Sequence, residues 1–304
     1  MTFSRALRGT LTGVAAALIA VFPATVAPVA ATPTPALQSP KTVTLNLPTA
    51  PNARDIGGVP TQGGNGKIKP GLIFRADALS KLSETEQQSL LTAGITKVID
   101  FRSPTETGQN PDKLPASIPL QSLPVYDPAN DFYVFFGKVV QGGPDYQQQM
   151  LGDGKAAEYM RNYYRWMVTD PTARAQFTTA LREIATAPGP VLYHCTAGKD
   201  RTGWMTAILM QTLNVPKGQI YKSFLESNEN LAASNQRTLD GLVASGRVTD
   251  PSLFEPVLGV SEDFLDAAFD QATQTFGSFD DFLSTGLGID AATVETLRSK
   301  LVGK

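Results

Sequence analysis

Short apolar runs alternate with longer amphipathic stretches in the middle of the chain, as expected for strands that are followed by helices. Residues 72–75 and 96–101 predict two strands. A helix is expected between them, because Ser83 and Glu86 can form a capping box and Gly94 can end the helix. A strand, a helix and a strand in this order favour a parallel sheet with helices on its faces.

Two more strands are expected, at residues 120–125 and at 191–194, and the second of these should be central in the sheet. Helical patterns occupy residues 154–167, 172–185, 204–213, parts of 217–245, 261–276, and 291–302 after a capping Asp290, with a break at 251–256. The predicted fold class is therefore α/β, one large domain with a central, mostly parallel sheet flanked by helices.

The first 40 residues have a different pattern. Two arginines precede an uncharged stretch, and small residues up to Ala31 follow, which is typical of a secretory signal peptide over residues 1–31. The apolar stretch is shorter than the roughly 20 residues that span a bilayer, so we expect no stable membrane anchor. Residues 32–40 predict a Pro-rich linker and residues 41–304 the folded domain. The protein is expected to be secreted or associated with the cell envelope.

Composition narrows the function classes. A net charge of −2 gives no general attraction to nucleic acid. The chain has one cysteine and one histidine, which are the neighbours Cys195 and His194. An exported chain with one cysteine has no internal disulfide, and one Cys beside one His cannot supply three or four converging metal ligands. We therefore expect neither a metal nor a cofactor, and Cys195 becomes a candidate for chemistry.

The two residues open the run HCTAGKDRTG, residues 194–203, which joins the predicted central strand to a helix N-terminus. Backbone N–H groups there have no helical partner and the helix dipole adds positive charge, so a dianionic phosphate is the expected occupant. The same field favours a thiolate, which makes Cys195 the predicted nucleophile. Arg201 can close the ring as a two-pronged phosphate ligand. The residues expected to contact the substrate are Thr196, Ala197, Gly198, Lys199 and Thr202, the last with its hydroxyl near the sulfur.

The run resembles the signature of cysteine-dependent protein tyrosine phosphatases, which is His-Cys, five residues, Arg, and then Ser or Thr. Its version Cys-x-x-Gly-Lys-Asp-Arg is similar to the bacterial atypical phosphatases of dual or triple specificity, some of which are secreted and hydrolyse phosphoinositides. Residues 52–58 (NARDIGG) and 100–106 (DFRSPTE) resemble two other boxes of that family. The resemblance implies a protein tyrosine phosphatase-like fold and a phosphocysteine intermediate.

The resemblance also implies that Asp200 is the general acid, because the loop aspartate is the proposed acid in that family. Many tyrosine phosphatases instead use an aspartate from a separate mobile loop, and Asp127 fits that role, so both alternatives stay open. Lys199 is expected to point into the pocket and add a second positive charge, which would widen the tolerance for inositol lipids. The alternative is a solvated surface lysine.

Supporting roles are expected outside the loop. His194 should hydrogen-bond the loop and support the thiolate. Arg54 and Asp55 are expected to form an internal ion pair that fixes the first box near the site.

The box at residues 100–106 has two predicted features. Arg102 and Glu106 have the spacing of a helical ion pair. Asp100 ends a strand at the predicted active-site edge and is a further catalytic candidate.

The segment 126–152 interleaves aromatic residues with Gly, Pro and Asp. It is expected to be either a loop packed on the core or a mobile lid or substrate wall over Cys195, since long loops in compact domains are often functional.

The predicted function is that of a secreted, cysteine-dependent phosphatase acting on phosphotyrosine in proteins. Phosphoserine, phosphothreonine and phosphoinositides are further candidate substrates, so the expected partner is a phosphoprotein or a phosphoinositide. Two alternatives remain: a phosphate-binding protein without turnover, and a rhodanese-type sulfurtransferase, which also holds a cysteine in a short anion-binding loop. The sequence does not indicate the oligomeric state.

Overall fold

The computed structural model describes residues 45–64 and 66–304. The predicted signal peptide at 1–31 and the predicted linker at 32–40 lie outside the described residues. The same holds for the first four residues of the predicted folded domain.

The strands form two sheets. In chain order they are β1 (Arg54–Asp55), β2 (Lys67–Ile68), β3 (Ile73–Ala76), β4 (Lys97–Asp100), β5 (Leu120–Ser122), β6 (Val191–His194) and β7 (Val302–Gly303). The larger sheet has the order β1-β3-β6-β4-β5, and β2 pairs with β7. Strands β3, β6, β4 and β5 are parallel, whereas β1 runs antiparallel to β3. The predicted α/β class with a central, mostly parallel sheet is confirmed.

The strand register places the carboxyl end of β6 between the carboxyl ends of β3 and β4. His194 lies opposite Ala76 of β3 and Asp100 of β4. Because these strands are parallel, the segments that follow all three leave the sheet at one edge. The loop that follows His194 therefore has neighbours on both sides.

The helices are α1 (Glu84–Thr92), α2 (Pro104–Gln109), α3 (Phe132–Gln141), α4 (Gly143–Leu151), α5 (Lys155–Thr169), α6 (Pro171–Thr186), α7 (Arg201–Thr212), α8 (Lys217–Ala244), α9 (Glu255–Leu258), α10 (Glu262–Phe276), α11 (Phe279–Asp281) and α12 (Ala291–Leu301). The capping box of Ser83 and Glu86 forms at the start of α1, and Asp290 caps α12, as predicted. Within the described residues, no helix is both long enough and apolar enough to cross a membrane.

Three segments differ from their predictions. Residues 217–244 are one continuous helix rather than separate stretches. The expected break at 251–256 is helical, because the Asp250 side chain caps the turn at Pro251–Phe254 and each proline occupies a first or second helical position, where its missing N–H is not needed. Residues 126–152 contain α3 and α4, and the Asp131 side chain caps α3.

The sheet is covered on both faces. In β4, Val98 packs into a cluster with Leu90 of α1, whereas Ile99 joins the larger cluster that includes residues of α5, α6 and α7. Leu192 and Tyr193 of β6 divide in the same way. Adjacent residues of a strand point to opposite faces, and both are apolar here, which explains why the strands appear as continuous apolar runs.

Candidate active site

The loop of residues 195–200 runs from β6 to α7, and three successive carbonyl groups of it are bonded outward. Ala78 N–H donates to the Thr196 carbonyl at 3.0 Å, Asn52 Nδ2 to the Ala197 carbonyl at 2.8 Å, and Arg75 Nη2 to the Gly198 carbonyl at 2.7 Å. The donors come from the segment before β1, from β3, and from the turn after β3. The carbonyl dipoles are thereby held by groups outside the loop.

The backbone N–H groups of Thr196 to Asp200 have no acceptor among the described residues. These donors lie at the N-terminus of α7, whose dipole adds partial positive charge. Successive N–H groups without a protein acceptor at a helix N-terminus are typical of a binding site for an anion.

Gly198 is fixed by its surroundings. Its φ of +65° is in the left-handed region, and a Cβ added to it would lie 2.3 Å from the carbonyl oxygen of Ala76. Only glycine fits this close approach of the loop to β3.

Cys195 is buried and lines a cavity of about 650 Å³ together with Lys199, Asp200 and Arg201. Thr196 and Ala197 also line the cavity, whereas Gly198 and Thr202 are not among its lining residues. The structure thus gathers the predicted nucleophile, phosphate ligand and acid in one place.

Thr202 follows Arg201 in the first turn of α7. Its hydroxyl is buried and has no hydrogen-bond partner among the described residues. Its predicted role beside the sulfur stays a prediction.

Arg201 is held by Glu106 of α2 through two parallel hydrogen bonds of 2.7 Å each. The Thr196 hydroxyl donates to the same carboxylate. Burial alone would raise the pKa of Glu106, but the charge and hydrogen bonds of Arg201 lower it to about 2. Burial also acts to lower the pKa of Arg201, yet nearby negative groups, Glu106 among them, raise it well above its usual value. Both residues are therefore charged at neutral pH.

The expected ion pair of Arg102 and Glu106 is wrong. Arg102 instead contacts Asp100 and Asp112. The helical spacing rule does not apply to Arg102, because α2 begins only at Pro104, after the capping residue Ser103. The sequence indicates only an architectural role for Glu106. Its pairing with Arg201 is visible only in the structure.

The expected ion pair of Arg54 and Asp55 is also wrong. Arg54 contacts the carboxylate of Glu226 at 3.3 Å, and Asp55 accepts hydrogen bonds from the N–H groups of Gly57 and Gly71. Neighbours in a strand point to opposite faces, so their side chains do not meet. Asp55 shapes the turn after β1, while Arg54 links β1 to α8.

His194, the last residue of β6, supports the start of the loop through a hydrogen bond. Its Nδ1–H donates to the Cys195 carbonyl at 3.1 Å, and its Nε2 lies 3.0 Å from Oδ2 of Asp112. Burial would lower the pKa of His194, but the charges of Asp100 and Asp112 raise it to about 9. The imidazole is therefore a cation at neutral pH.

Asp100 is buried and is not among the residues that line the cavity. Its carboxylate accepts hydrogen bonds from the Arg102 guanidinium at 2.9 to 3.0 Å, which makes it a structural rather than a catalytic residue. Asp100, Asp112 and His194 offer ligand atoms within 4.8 Å of one another. Arg102 and His194 already neutralise both carboxylates, so we do not assign a metal to this cluster.

Asp200 is held by two partners inside the cavity. Lys199 Nζ lies 2.7 and 2.9 Å from its carboxylate oxygens, and the Tyr164 hydroxyl donates to it at 3.0 Å. Lys199 is only 4% exposed, which is inconsistent with a solvated surface lysine.

Asp127 lies elsewhere. Its carboxylate accepts from Asn130 and Ala129, and the hydrogen bond from Asn130 lowers its pKa. It lines a neighbouring groove rather than the cavity that contains Cys195. The geometry therefore favours Asp200 over Asp127 as the acid.

The segment 126–152 forms a wall of the cavity. Phe132, Tyr133 and Phe136 of α3 line it, and Phe132 stacks on Tyr163 of α5 with 5.1 Å between ring centroids. This agrees with the expected substrate wall. The predicted mobility of a lid stays a prediction.

The chain is similar to known phosphatases over most of its length. A model described as the tyrosine phosphatase family matches residues 45–303. The triple specificity protein phosphatase PtpB of Mycobacterium tuberculosis is 31% identical over 279 residues, with 84% of this chain and 98% of that protein covered. A tyrosine-protein phosphatase of Nostoc commune is 28% identical over 160 residues, with 50% and 47% covered. TpbA of P. aeruginosa has a TM-score of 0.34 at 15% identity, covering 78% of this chain and 89% of that one.

We predict that Glu106→Gln lowers kcat/KM by about 10- to 100-fold, because about 1.5 to 3 kcal/mol of charged hydrogen bonding to Arg201 is lost. The folded-state pKa of Glu106 is depressed from 4.5 to about 2. Its contribution to stability is therefore complete above about pH 4.5 and disappears as the pH falls toward 2.

The measurements are steady-state kinetics and urea unfolding between pH 7 and pH 2.5. Glu84→Gln, at an exposed position in the first turn of α1, is the control. A Glu106→Gln variant with unchanged kinetics, or with a stability deficit that is the same at all pH values, would contradict the assigned pairing.

Proposed function

Because this chain belongs to the tyrosine phosphatase family and is a protein-tyrosine phosphatase, we propose that Cys195 attacks a phosphomonoester bound in the loop. The main support for this proposal is the run of N–H groups from Thr196 to Asp200 around Cys195, for which residues 45–64 and 66–304 offer no acceptor. These donors and the two-pronged Arg201 match the equatorial oxygens of a phosphoryl group.

The first step forms a bond between Sγ of Cys195 and phosphorus and breaks the bond to the leaving oxygen. The proton on Asp200 passes to that oxygen, which leaves as a phenol or an alcohol. In the second step water attacks phosphorus, its proton goes to the Asp200 carboxylate, and the thiolate is released with inorganic phosphate.

Lys199 lies between Asp200 and the anion site in this scheme. Its ammonium pairs with the Asp200 carboxylate at 2.7 Å. A bound phosphate competes with that carboxylate for the ammonium, so Lys199 can contact the substrate as well as the acid.

The substrate range extends in our proposal from phosphotyrosine to phosphoserine, phosphothreonine and phosphoinositides. A relative that covers most of the chain is named a triple specificity phosphatase. The aromatic wall from α3 offers apolar contact beside the phosphate site, and Lys199 supplies a second cation for substrates with several phosphates. Secretion or attachment to the cell envelope rests on the predicted signal peptide.

The two alternatives are less well supported. A binding protein without turnover has no need for an acid beside the nucleophile, yet Asp200 and Cys195 line the same cavity. A rhodanese-type sulfurtransferase does not agree with a family match over residues 45–303.

The mechanism predicts that Cys195→Ser loses at least about a thousandfold in kcat, since a neutral hydroxyl is a far weaker nucleophile. Turnover of an aryl phosphate by the purified full-length chain is measured with and without a metal chelator and with vanadate. Chelator should have no effect and vanadate should inhibit. Thr212→Ser, at the far end of α7, is a control for conservative change in a buried residue. Equal turnover by wild type and Cys195→Ser would exclude the mechanism.

The substrate range is tested with Lys199→Ala. We predict that this change lowers activity on phosphatidylinositol phosphate vesicles, relative to a phosphotyrosine peptide, by about tenfold, which corresponds to one lost charge contact of about 1.4 kcal/mol. Lys217→Ala removes a lysine that is 64% exposed and serves as the matched control. A ratio of the two activities that does not change in Lys199→Ala would remove the support for inositol lipids as substrates.

A further inference from the structure

Arg75 of β3 is a buried guanidinium that the reaction described above does not use. Its relative exposure is 0%. Nη2 donates to the Gly198 carbonyl at 2.7 Å, whereas Nε and Nη1 have no hydrogen-bond partner among the described residues. None of its three nitrogens therefore donates to a described carboxylate. Burying a charge without a partner costs several kcal/mol, so its retention requires a reason.

The cations around the loop are otherwise matched within the described part of the chain. The matched sets are Arg201 with Glu106, Lys199 with Asp200, Arg54 with Glu226, and Arg102 and His194 with Asp100 and Asp112. Arg75 is the buried cation of this region that lacks a carboxylate contact there. Its positive charge is therefore available to stabilise a negative charge that forms nearby during the reaction.

Ionisable groups near enough to influence the pKa of Arg75 come from four elements and the loop. They are Arg54 of β1, Tyr193 of β6, Tyr164 of α5, Glu226 of α8, and Cys195. Burial lowers the pKa of Arg75, and the nearby groups that become negative on ionisation oppose this. Glu226 already pairs with Arg54 at 3.3 Å, and Tyr164 and Tyr193 have pKa values that burial raises further. Cys195, three residues before the Gly198 that Arg75 contacts, is thus the nearby group whose ionised form the proposed reaction requires.

Two further groups lie near this assembly. Burial raises the pKa of Asp77 to about 7, and its carboxylate accepts the N–H of Asn52. Tyr163 faces Cys195 from α5, and burial raises its pKa. Neither contacts the guanidinium of Arg75.

The guanidinium lies against the first turn of α7. A Cβ added to Gly203 would be 3.6 Å from Arg75 Nη2, an ordinary contact distance, which places the guanidinium beside the helix N-terminus. From this place Arg75 contacts the loop on the side away from the cavity, through the outward carbonyl of Gly198.

We infer that Arg75 is a positioning residue for the proposed reaction. It holds the Gly198 carbonyl away from the anion site, and its unmatched charge stabilises the negative charge of Cys195 and of the bound phosphate from behind the loop. The inference rests on the proposed function, because that function requires Cys195 as a thiolate.

Arg75→Met and Arg75→Lys test the inference, with Arg298→Met as the matched control. Arg298 is an exposed arginine whose Nε donates to the Thr212 carbonyl, at the other end of α7 from the loop. Cys195 is the single cysteine of the chain, so whole-protein mass spectrometry follows its alkylation by iodoacetamide directly. The rate of alkylation is measured from pH 5 to pH 9, together with inhibition of the phosphatase by inorganic tungstate.

For Arg75→Met we expect the alkylation profile to move to higher pH by about one unit or more, and tungstate to inhibit about tenfold more weakly. Arg75→Lys keeps the charge and should move the profile by less than half as much. Arg298→Met should leave both measurements unchanged. A profile for Arg75→Met that coincides with the wild-type profile would overturn the inference.

Whether the Arg75→Met variant folds is a further test of the inference. Replacing an unpaired buried charge by an apolar side chain of similar length is expected to be neutral or stabilising. A variant that fails to fold would show that Arg75 is needed for the structure, and this also overturns the inference. A wild-type chain without phosphatase activity would refute the proposed function. Alkylation of Cys195 does not require turnover, so its pH profile would still test the effect of the Arg75 charge in that case.

Discussion

Everything at this site depends on three carbonyl groups being bonded outward. The carbonyls of Thr196, Ala197 and Gly198 accept hydrogen bonds from groups outside the loop, and the N–H groups of the same segment have no acceptor in the part of the chain that the structure describes. A loop with the opposite orientation would present oxygen atoms to an incoming phosphate and repel it. The sheet order makes the arrangement possible, because β3 lies directly beside β6, and β3 together with the turn after it supplies two of the three donors.

Charge pairing determines which cations are free to act. Glu106 fixes the plane of Arg201 through two hydrogen bonds, and the same carboxylate accepts the Thr196 hydroxyl, so one side chain of α2 orients both ends of the loop. Lys199 is paired with Asp200. Arg75 has no described carboxylate partner, and its charge is available to the loop.

The sequence predicted much of the fold because its strands are short apolar runs and several helices have clear caps. Ser83 with Glu86 and the Asp290 cap are local features, and both are present in the structure. Helix α3 was harder to predict, because its aromatic and β-branched residues have low helix propensity and it is stabilised by packing against α5.

The loop itself could be recognised from the spacing of Cys195 and Arg201. The pairs around it could not, because they join residues distant in sequence. Glu106 is 95 positions from Arg201, and Arg75 is 123 positions from Gly198. The capping box of Ser103 and Glu106 was visible as a motif, but its second function requires knowing that α2 lies beside the loop. Local rules also produced the two incorrect ion pairs, since spacing along the chain does not tell which face of a strand or which end of a helix a residue occupies.

The central claim is that Cys195 carries the phosphoryl group between the two chemical steps. Its most direct test is rapid acid quenching of wild-type enzyme during turnover of an aryl phosphate, followed by mass spectrometry of the peptide that contains residues 194–203. We expect a transient phosphoryl group on Cys195 that is absent from Cys195→Ser. Turnover without any phosphorylated enzyme under single-turnover conditions, or a phosphoryl group on a different residue, would contradict it.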